Sequence, residues 1–252
     1  MGILGRIDTF ITWFDGVVWG LPLIILILVT GIFLTVRLGL LQVRYLGKAL
    51  KFMVKNEEDG HGEVTSFGAL CTALSATIGT GNIVGVATAI SAGGPGALFW
   101  MILTAFLGMA TKYSEGLLAV KYRTIDEDGH VLGGPFYYIE NGMGKKWTWL
   151  AKIFAFFGAG VGLFGIGTFT QVNGISSAVR NFFDPNMAHT VALFGNDYSW
   201  ATVISCLVLT VCVGMVVLGG IKRIAKVSEI VVPFMAVLYV VLAVIIMVTN
   251  IT

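Results

Sequence analysis

The feature that most constrains the fold is the length of the segments that contain no Asp, Glu, Lys or Arg. Five such segments are 21 residues long or longer, and they cover residues 16–36, 64–111, 153–179, 198–221 and 230–252. About 20 apolar residues are enough to cross a bilayer as a helix. The composition agrees, since 12% of the residues are charged, where a soluble domain has about 25%. The chain is therefore predicted to be an integral membrane protein.

The segment 64–111 contains 48 residues, which is long enough for two membrane helices. It is divided by Gly93-Gly94-Pro95-Gly96, a cluster that favours a turn or a helix break. Six transmembrane helices are therefore predicted, at about residues 16–36, 66–91, 97–122, 150–180, 199–219 and 228–250. The predicted fold class is an all-α integral membrane protein.

The basic residues follow the predicted connections in an alternating way. Twelve Lys and Arg residues lie in the first, third and fifth connections: Arg37, Arg44, Lys48, Lys51, Lys55, Lys121, Arg123, Lys145, Lys146, Lys222, Arg223 and Lys226. The alternate connections and the N-terminus contain only Arg6 and Arg180. Because basic residues concentrate on the cytoplasmic side, we predict a multi-pass protein of the plasma or inner membrane with its N-terminus outside and a basic cytoplasmic connection at 37–65. The net charge of +2 does not favour a nucleic-acid partner.

The second predicted helix contains a segment, residues 76–85, that is poorly suited to a helix. Gly79, Thr80, Gly81 and Asn82 follow one another near its middle, and these residue types disfavour helix interiors. We predict a break at mid-membrane, which is tolerated only where the backbone is buried in protein or lines a cavity. Such a break presents carbonyl groups to a cation and a helix N-terminus to an anionic group. The alternative is that the glycines only permit close helix packing.

The fourth predicted helix becomes polar in its second half, at Gln171 and Asn173. These side chains are costly in lipid unless they face a partner or a cavity. At about 100° per residue they point about 200° apart, so both line one site only if the helix bends or unwinds near Gly174. The alternative is that they form hydrogen bonds between helices and serve packing alone.

Enzyme motifs are absent from the sequence. Gly79 to Gly85 has GxGxxxG spacing, one residue longer than a dinucleotide-binding loop, and no soluble βαβ unit surrounds it. There is no HExxH or GxSxG motif, and no Asp or His in a predicted span that could act as a base. Cys71, Cys206 and Cys212 lie in apolar segments without a CxxC motif. We therefore predict no catalytic activity and no bound cofactor.

Several longer motifs resemble the alanine or glycine:cation symporter family. They are Ala73-Leu-Ser-Ala-Thr-Ile-Gly-Thr-Gly-Asn-Ile-Val-Gly-Val-Ala-Thr88, Gly93-Gly-Pro-Gly-Ala-Leu-Phe-Trp100, Gly108-Met-Ala-Thr-Lys-Tyr-Ser-Glu115, Gly133-Gly-Pro-Phe-Tyr-Tyr138, Gln171-Val-Asn173 and Gly219-Gly-Ile-Lys222. The resemblance implies import of small neutral amino acids driven by sodium, or by protons in some members. It also implies the leucine-transporter-type fold of two inverted five-helix repeats, with residues 1–36 as a peripheral N-terminal segment and helix.

The same resemblance assigns residues to the transport site. The discontinuous second span would bind the substrate through Thr77, Gly79, Thr80, Gly81 and Asn82, and Gln171 and Asn173 would line the amino-acid pocket. Backbone carbonyl groups of Thr77, Ile78 and Gly79 would form part of a sodium site. These assignments are what the family similarity implies for the matching positions of this sequence.

One departure from the family concerns the second repeat, which completes both sites in full members. No second GTGN-like break and no internal repeat occurs in residues 97–252. We therefore expect 66–252 to be a five-helix first repeat, the chain to be an N-terminal portion, and its partner to be the missing second repeat or a complementary half. Little transport is expected from the chain alone. The alternative function is a channel or a non-transporting membrane subunit, if the break only lines a pore.

Overall fold

The computed structural model describes residues 3–55, 64–165, 167–193 and 195–250. The middle of the predicted connection 37–65, residues 56–63, lies outside this described part. The chain divides into two compact units, each of which is described by itself. The first comprises Met1–Leu50 and Ala89–Phe154, and the second comprises Lys51–Thr88 and Ala155–Thr252.

Helices dominate the described residues. The α-helices are α1 (Ile3–Val18), α2 (Leu21–Arg37), α3 (Leu41–Arg44), α4 (Leu46–Val54), α5 (Ser66–Thr77), α6 (Val86–Gly93), α7 (Gly96–Lys121), α8 (Pro135–Met143), α9 (Thr148–Leu163), α10 (Thr168–Phe183), α11 (Trp200–Val217) and α12 (Gly220–Thr249). A π-helical turn covers Gly81–Gly85 and a 3₁₀ turn covers Lys145–Trp147. The strands form two antiparallel hairpins: β1 (Thr124–Ile125) with β2 (Val131–Leu132), and β3 (Thr190–Leu193) with β4 (Asn196–Ser199).

The helices that are long and apolar enough to cross a membrane agree with the predicted number. In the described residues five segments qualify: Gly5–Arg37, Gly96–Lys121, Lys145–Phe183, Trp200–Val217 and Gly220–Thr249. A sixth span results if Ser66–Thr77 and Gly81–Gly93, which meet at 60°, are counted together. The protein is therefore a predominantly helical, multi-pass membrane protein.

Two details differ from the sequence-based expectation. The last span was expected at 228–250, but α12 begins at Gly220. An uncharged segment indicates only the part of a helix that can lie in the lipid. Lys and Arg are good helix formers, so the helix continues beyond that segment. The two short hairpins were also not expected, because an all-α prediction from long apolar segments does not address the connections.

The packing between helices relies on small side chains. In the described part, the buried hydrophobic residues are Cys71, Ala110, Ala151, Ala201, Ala225 and Val232. Large apolar side chains such as Leu26, Phe157 and Val237 are exposed, as expected for surfaces that contact lipid. Small residues allow close approach of helix backbones, which drives association where lipid competes for apolar contacts.

In the first unit, α2 packs against α7. Gly31 of α2 is buried, and a Cβ atom there would lie 2.9 Å from the Cβ atom of Leu107. This distance is shorter than side-chain carbon atoms normally approach, so the contact requires glycine. The crossing of α2 and α7 is thereby fixed at this point.

The turn after α2 is also fixed to this pair of helices. Gly39 and Leu40 adopt left-handed backbone conformations with φ of 62° and 54°, which redirect the chain into α3. The buried side chain of Gln42 then donates from Nε2 to Thr35 Oγ1 at 2.8 Å and to the carbonyl oxygen of Phe106 at 3.2 Å. The start of the connection after α2 is therefore held against the end of α2 and the middle of α7.

In the second unit, α5 packs along α12. Thr65 caps α5, since its hydroxyl oxygen accepts from the backbone N–H of Gly68 at 2.9 Å. The same hydroxyl donates to Glu229 Oε1 of α12 at 2.6 Å. A carboxylate beside a helix N-terminus is favourable, so this contact stabilises the first turn of α5.

The far end of α10 is held by a buried carboxylate. Asp184, at 4% exposure, follows the last residue of α10. It accepts from Ser199 Oγ at 2.6 Å and from the backbone N–H of Ala188 at 2.7 Å. The β3–β4 hairpin is thus tied to the end of α10.

Candidate functional site

The discontinuity predicted in the second span is present. The helix α5 ends at Thr77, and Ile78 follows with extended backbone angles, φ of −86° and ψ of 110°. Helical conformation resumes at Thr80, and the π-helical turn Gly81–Gly85 leads into α6. A π-helical turn is wider than an α-helix and occurs often at functional sites. The break therefore has unpaired backbone groups that other parts of the protein must satisfy.

Asn82 closes the break from its second half. Its Nδ2 atom donates to the carbonyl oxygen of Thr77 at 2.9 Å, and its backbone N–H donates to the carbonyl oxygen of Gly79 at 3.0 Å. The hydroxyl of Thr77 donates within α5, to the carbonyl oxygen of Ala73 at 2.7 Å. A carbonyl oxygen has two lone pairs, so the Thr77 and Gly79 carbonyl groups each keep capacity for a second interaction.

Gln171 of α10 contacts the break from the side. Its Oε1 atom accepts from the backbone N–H of Thr80 at 2.8 Å. A Cβ atom built on Gly79 would overlap the amide nitrogen of Gln171 and lie 2.9 Å from its Cδ atom. Glycine at 79 is therefore required for the Gln171 amide to reach the backbone.

Gly174 provides the matching space on α10. A Cβ atom there would lie 2.7 Å from Thr80 Cγ2. One glycine on each element therefore accommodates a side chain of the other. We call this arrangement of Gly79, Thr80, Gln171 and Gly174 the interlock. The two glycines therefore permit close packing of the break against α10. This packing also brings the backbone N–H of Thr80 within hydrogen-bond distance of Gln171.

The fourth span is interrupted at a different place from the one considered in the sequence. Gly174 lies within α10, which is helical from Thr168 to Phe183. The discontinuity lies between α9 and α10, where Gly165 and Gly167 have φ of 60° and 90°. Glycine adopts positive φ at little cost, so the chain leaves the helix there.

The two polar residues of α10 consequently have different surroundings. Gln171 is half-buried against the break, as described above. Asn173 is exposed, and within the described residues its side chain forms no hydrogen bond to the break. The structure thus brings together Thr77, Ile78, Gly79, Thr80, Gly81, Asn82 and Gln171 and leaves Asn173 apart.

A cavity of about 420 Å³ adjoins the break. It is lined by Ser75, Ala76, Ile78, Gly167, Thr168 and Gln171. Its volume lies within the roughly 300–1,000 Å³ of small-molecule sites, and its wall combines polar and apolar groups. Ser75, Gly167 and Thr168 were not among the predicted site residues. Ser75 could have been found because it lies one helical turn before Ile78.

Several membrane-spanning helices, one of them with a polar break beside a small cavity, are typical of secondary transporters. The sequence model of the sodium:alanine symporter family matches residues 5–252, and the chain belongs to this family. The family is one of membrane symporters.

Two relatives illustrate the similarity. An uncharacterized transporter of Haemophilus influenzae is 52% identical over 245 residues, which cover 97% of this chain and 50% of that protein. The sodium/alanine symporter AgcS of Methanococcus maripaludis is 47% identical over 243 residues, which cover 93% of this chain and 49% of that protein. The chain spans about half the length of these relatives.

Proposed function

We propose that the protein takes part in sodium-coupled symport of a small neutral amino acid, alanine or glycine, by alternating access. The observation that carries the proposal is the interlock at the broken span, which leaves backbone polar groups beside a small cavity. Family membership and the similarity to a sodium/alanine symporter support the same class of substrate. Protons are the alternative coupling ion, as in some members of the family.

The proposed roles follow from the chemistry of the break. Carbonyl oxygens of Thr77, Ile78 and Gly79 would contribute to sodium coordination, because a hard cation prefers oxygen ligands. The backbone N–H group of Gly81 lies at the start of a helical segment, and helix N-termini favour the substrate carboxylate. Asn82 would support this turn, since its own N–H group donates to the Gly79 carbonyl oxygen. Gln171 would hold the break open at the edge of the cavity. Asn173 would reach the substrate only in a conformation in which α10 turns toward the cavity.

The proposal concerns a whole transporter, of which the described helices supply one part. We assign 1–36 to a peripheral segment and helix, 37–65 to a basic cytoplasmic connection and 66–252 to the first five-helix repeat of an inverted-repeat fold. A second repeat or complementary half would complete both the substrate and the sodium site. The distribution of Lys and Arg supports an N-terminus outside a plasma or inner membrane.

The experiment replaces the matched segment of AgcS with this chain and measures alanine uptake into proteoliposomes. An inward sodium gradient is compared with an inward potassium gradient, and elution as a single species in size-exclusion chromatography checks that the chimera is folded. We expect saturable uptake that requires sodium. Uptake that neither saturates nor depends on sodium would contradict symport and favour the channel alternative.

Matched variants connect the uptake to this chain's own residues. Gly79→Leu fills the space of the Gln171 amide, whereas Gly85→Ala, outside the proposed site, adds a methyl group where no heavy atom lies within 4 Å. We expect the first variant to abolish sodium-dependent uptake and the second to retain most of it. Equal uptake by both variants would show that the interlock is not part of the transport site.

A further inference from the structure

The helix α4 has a basic side and an apolar side, and the exposed ring of Phe52 lies at the edge of the basic side. At about 100° per residue, Lys48, Lys51 and Lys55 fall within about 60° of one another. Lys55 belongs to the same helical turn, because its backbone N–H donates to the carbonyl oxygen of Lys51 at 3.0 Å. Leu46, Leu50 and Met53 lie on the opposite side and are 54%, 55% and 41% exposed. The helix therefore presents an uncovered apolar surface and a concentrated positive charge.

The position of α4 places it beside the membrane. Gln42 ties the preceding helix, α3, to Thr35 of α2 and Phe106 of α7. Because α2 is a membrane span that ends at Arg37, just after Thr35, α4 begins close to the end of this span. The contact with α7, at Phe106, lies near the middle of that helix. It cannot extend freely into solvent in the manner of an unanchored loop.

Arg44, the last residue of α3, adds a further positive charge beside the basic side of α4. Arg44 and Lys48 both lie over the ring of Tyr45, at 5.8 Å and 5.6 Å from its centroid. Among the residues that the structure describes, the ion pair found is between Lys112 and Glu115. Arg44 and the lysines of α4 therefore have no acidic partner within this part of the chain. A helix of nine residues is marginal in water. Its stability therefore calls for a surface that contacts the apolar side.

We propose that α4 lies in the membrane interface and binds the anionic headgroups of the lipid leaflet on its side of the bilayer. Leu46, Leu50 and Met53 would contact the acyl chains, and the lysines and Arg44 would be attracted by lipid phosphates. A helix is about 10 Å wide, so its basic side stays within roughly the Debye length of the surface at physiological salt. An amphipathic helix with this division binds anionic membranes through apolar area and charge together.

The proposal is tested by amide hydrogen exchange of residues 46–54 in the full 252-residue chain. The protein is reconstituted in nanodiscs of phosphatidylcholine alone or of phosphatidylcholine mixed with phosphatidylglycerol. We expect exchange to be about tenfold slower or more in the anionic discs, since three lysines contribute to the attraction. Raising NaCl to about 1 M, where the Debye length is about 3 Å, should remove most of the difference.

Three variants test whether anionic lipid, and no other partner, protects residues 46–54 from exchange. Lys48→Gln/Lys51→Gln/Lys55→Gln should lose the protection in anionic discs, and so should Leu50→Gln. Lys48→Arg/Lys51→Arg/Lys55→Arg should keep it. The matched control Lys145→Gln/Lys146→Gln/Lys152→Gln removes three lysines elsewhere and should leave residues 46–54 protected. All four proteins are compared in the same discs.

Three results would overturn the proposal. Equal exchange in neutral and anionic discs would show that headgroup charge does not hold α4. Protection in detergent without anionic lipid would show that another part of the chain covers the helix. Loss of protection on neutralising Glu57, Glu58 and Asp59 by amide substitution would show that the chain's own acidic residues are the partner. None of these readouts depends on transport, so failure here leaves the proposed function standing.

Discussion

Two helical spans are interrupted at residues of the second unit, and they are interrupted in different ways. Between α5 and α6 the chain breaks at Ile78, and the broken backbone is satisfied by side chains, one of them from another helix. Between α9 and α10 the chain turns at Gly165 and Gly167, and its groups pair locally. The N–H of Thr168 donates to the Gly165 carbonyl at 3.0 Å, and Thr170 Oγ1 donates to the Gly167 carbonyl at 2.8 Å.

The comparison shows that glycine serves two purposes in one protein. Gly165 and Gly167 are needed for their positive φ, which is a property of their own backbone. Gly79 does not have a positive φ; it is needed because the Gln171 amide occupies the space of a side chain. Among the described residues, the first break is therefore held by a side chain of another helix, whereas the hydrogen bonds found at the second break are local.

The largest effect is expected from Gly79→Ala. Its methyl group would overlap the Gln171 amide, which adds strain and removes the acceptor of the Thr80 N–H. Since the Gln171 side chain can relieve the overlap only by giving up this hydrogen bond, we expect a loss of about 2–4 kcal/mol in the free energy of unfolding. Thermal unfolding in nanodiscs measures it, with Gly81→Ala as the control. A loss as small as that of the control would show that Gln171 can move aside without cost.

A smaller effect is expected from Gln171→Leu, which removes the acceptor and leaves the backbone intact. The cost of an unpaired N–H group is about 1–3 kcal/mol. Gln171→Glu keeps an oxygen for the Thr80 N–H and should recover part of the stability. The same unfolding measurement distinguishes the two variants. If Leu and Glu destabilise equally, the hydrogen bond is not what holds the first break.

The second break is tested by Gly167→Ala. No heavy atom lies within 4 Å of the added Cβ, so the substitution changes only the backbone preference at φ of 90°. Because φ of 90° with ψ of −37° lies outside the left-handed helical region, we expect a loss of about 1–3 kcal/mol. Gly162→Ala in α9 also meets no heavy atom within 4 Å and lacks the positive φ, so it should be neutral or slightly stabilising. Equal effects of the two substitutions would contradict the assigned role of Gly167.

The smallest effect concerns the other end of α10, at Asp184. Hydrogen bonds from Ser199, and from the backbone at Ala188 and His189, hold its pKa below the ordinary value of 3.8, although burial acts in the opposite direction. A lowered pKa contributes stability above the ordinary value, and this contribution is lost as the pH falls through the lowered one. The thermal midpoint of the protein should exceed that of Asp184→Asn at neutral pH, and the two should converge below about pH 4. A constant difference down to acidic pH would contradict this role.

The sequence was informative where a property belongs to a local segment. The number of spans, the discontinuity in the second span and the polar character of Gln171 all follow from residue types within a short window. The turn at Gly165 and Gly167 was missed because a Gly-rich helix offers many glycines of equal appearance. Only φ separates these two from Gly158 or Gly162, which lie within α9.

The interlock was beyond local reasoning for a different reason. The free-energy cost of a polar side chain in lipid predicts that Gln171 needs a hydrogen-bond partner. The residues around Gln171 in the sequence, however, do not identify that partner as the N–H of Thr80. The proposal that Asn173 shares the pocket came from family similarity, and the structure places it on an exposed part of α10. Helix periodicity does explain that outcome, because the two residues point about 200° apart on an uninterrupted helix.

The separation of Thr80 and Gln171 has a consequence for biosynthesis. The two residues are 91 positions apart in the chain. At about 5–20 residues per second, Gln171 is synthesised roughly 5–20 s after Thr80. An unpaired N–H costs several kcal/mol in lipid, so residues 66–93 have to wait in the insertion machinery or at the protein–lipid boundary until α10 arrives. Membrane insertion of this span is thus expected to be completed late, in the company of α10, rather than in the order in which the helices are made.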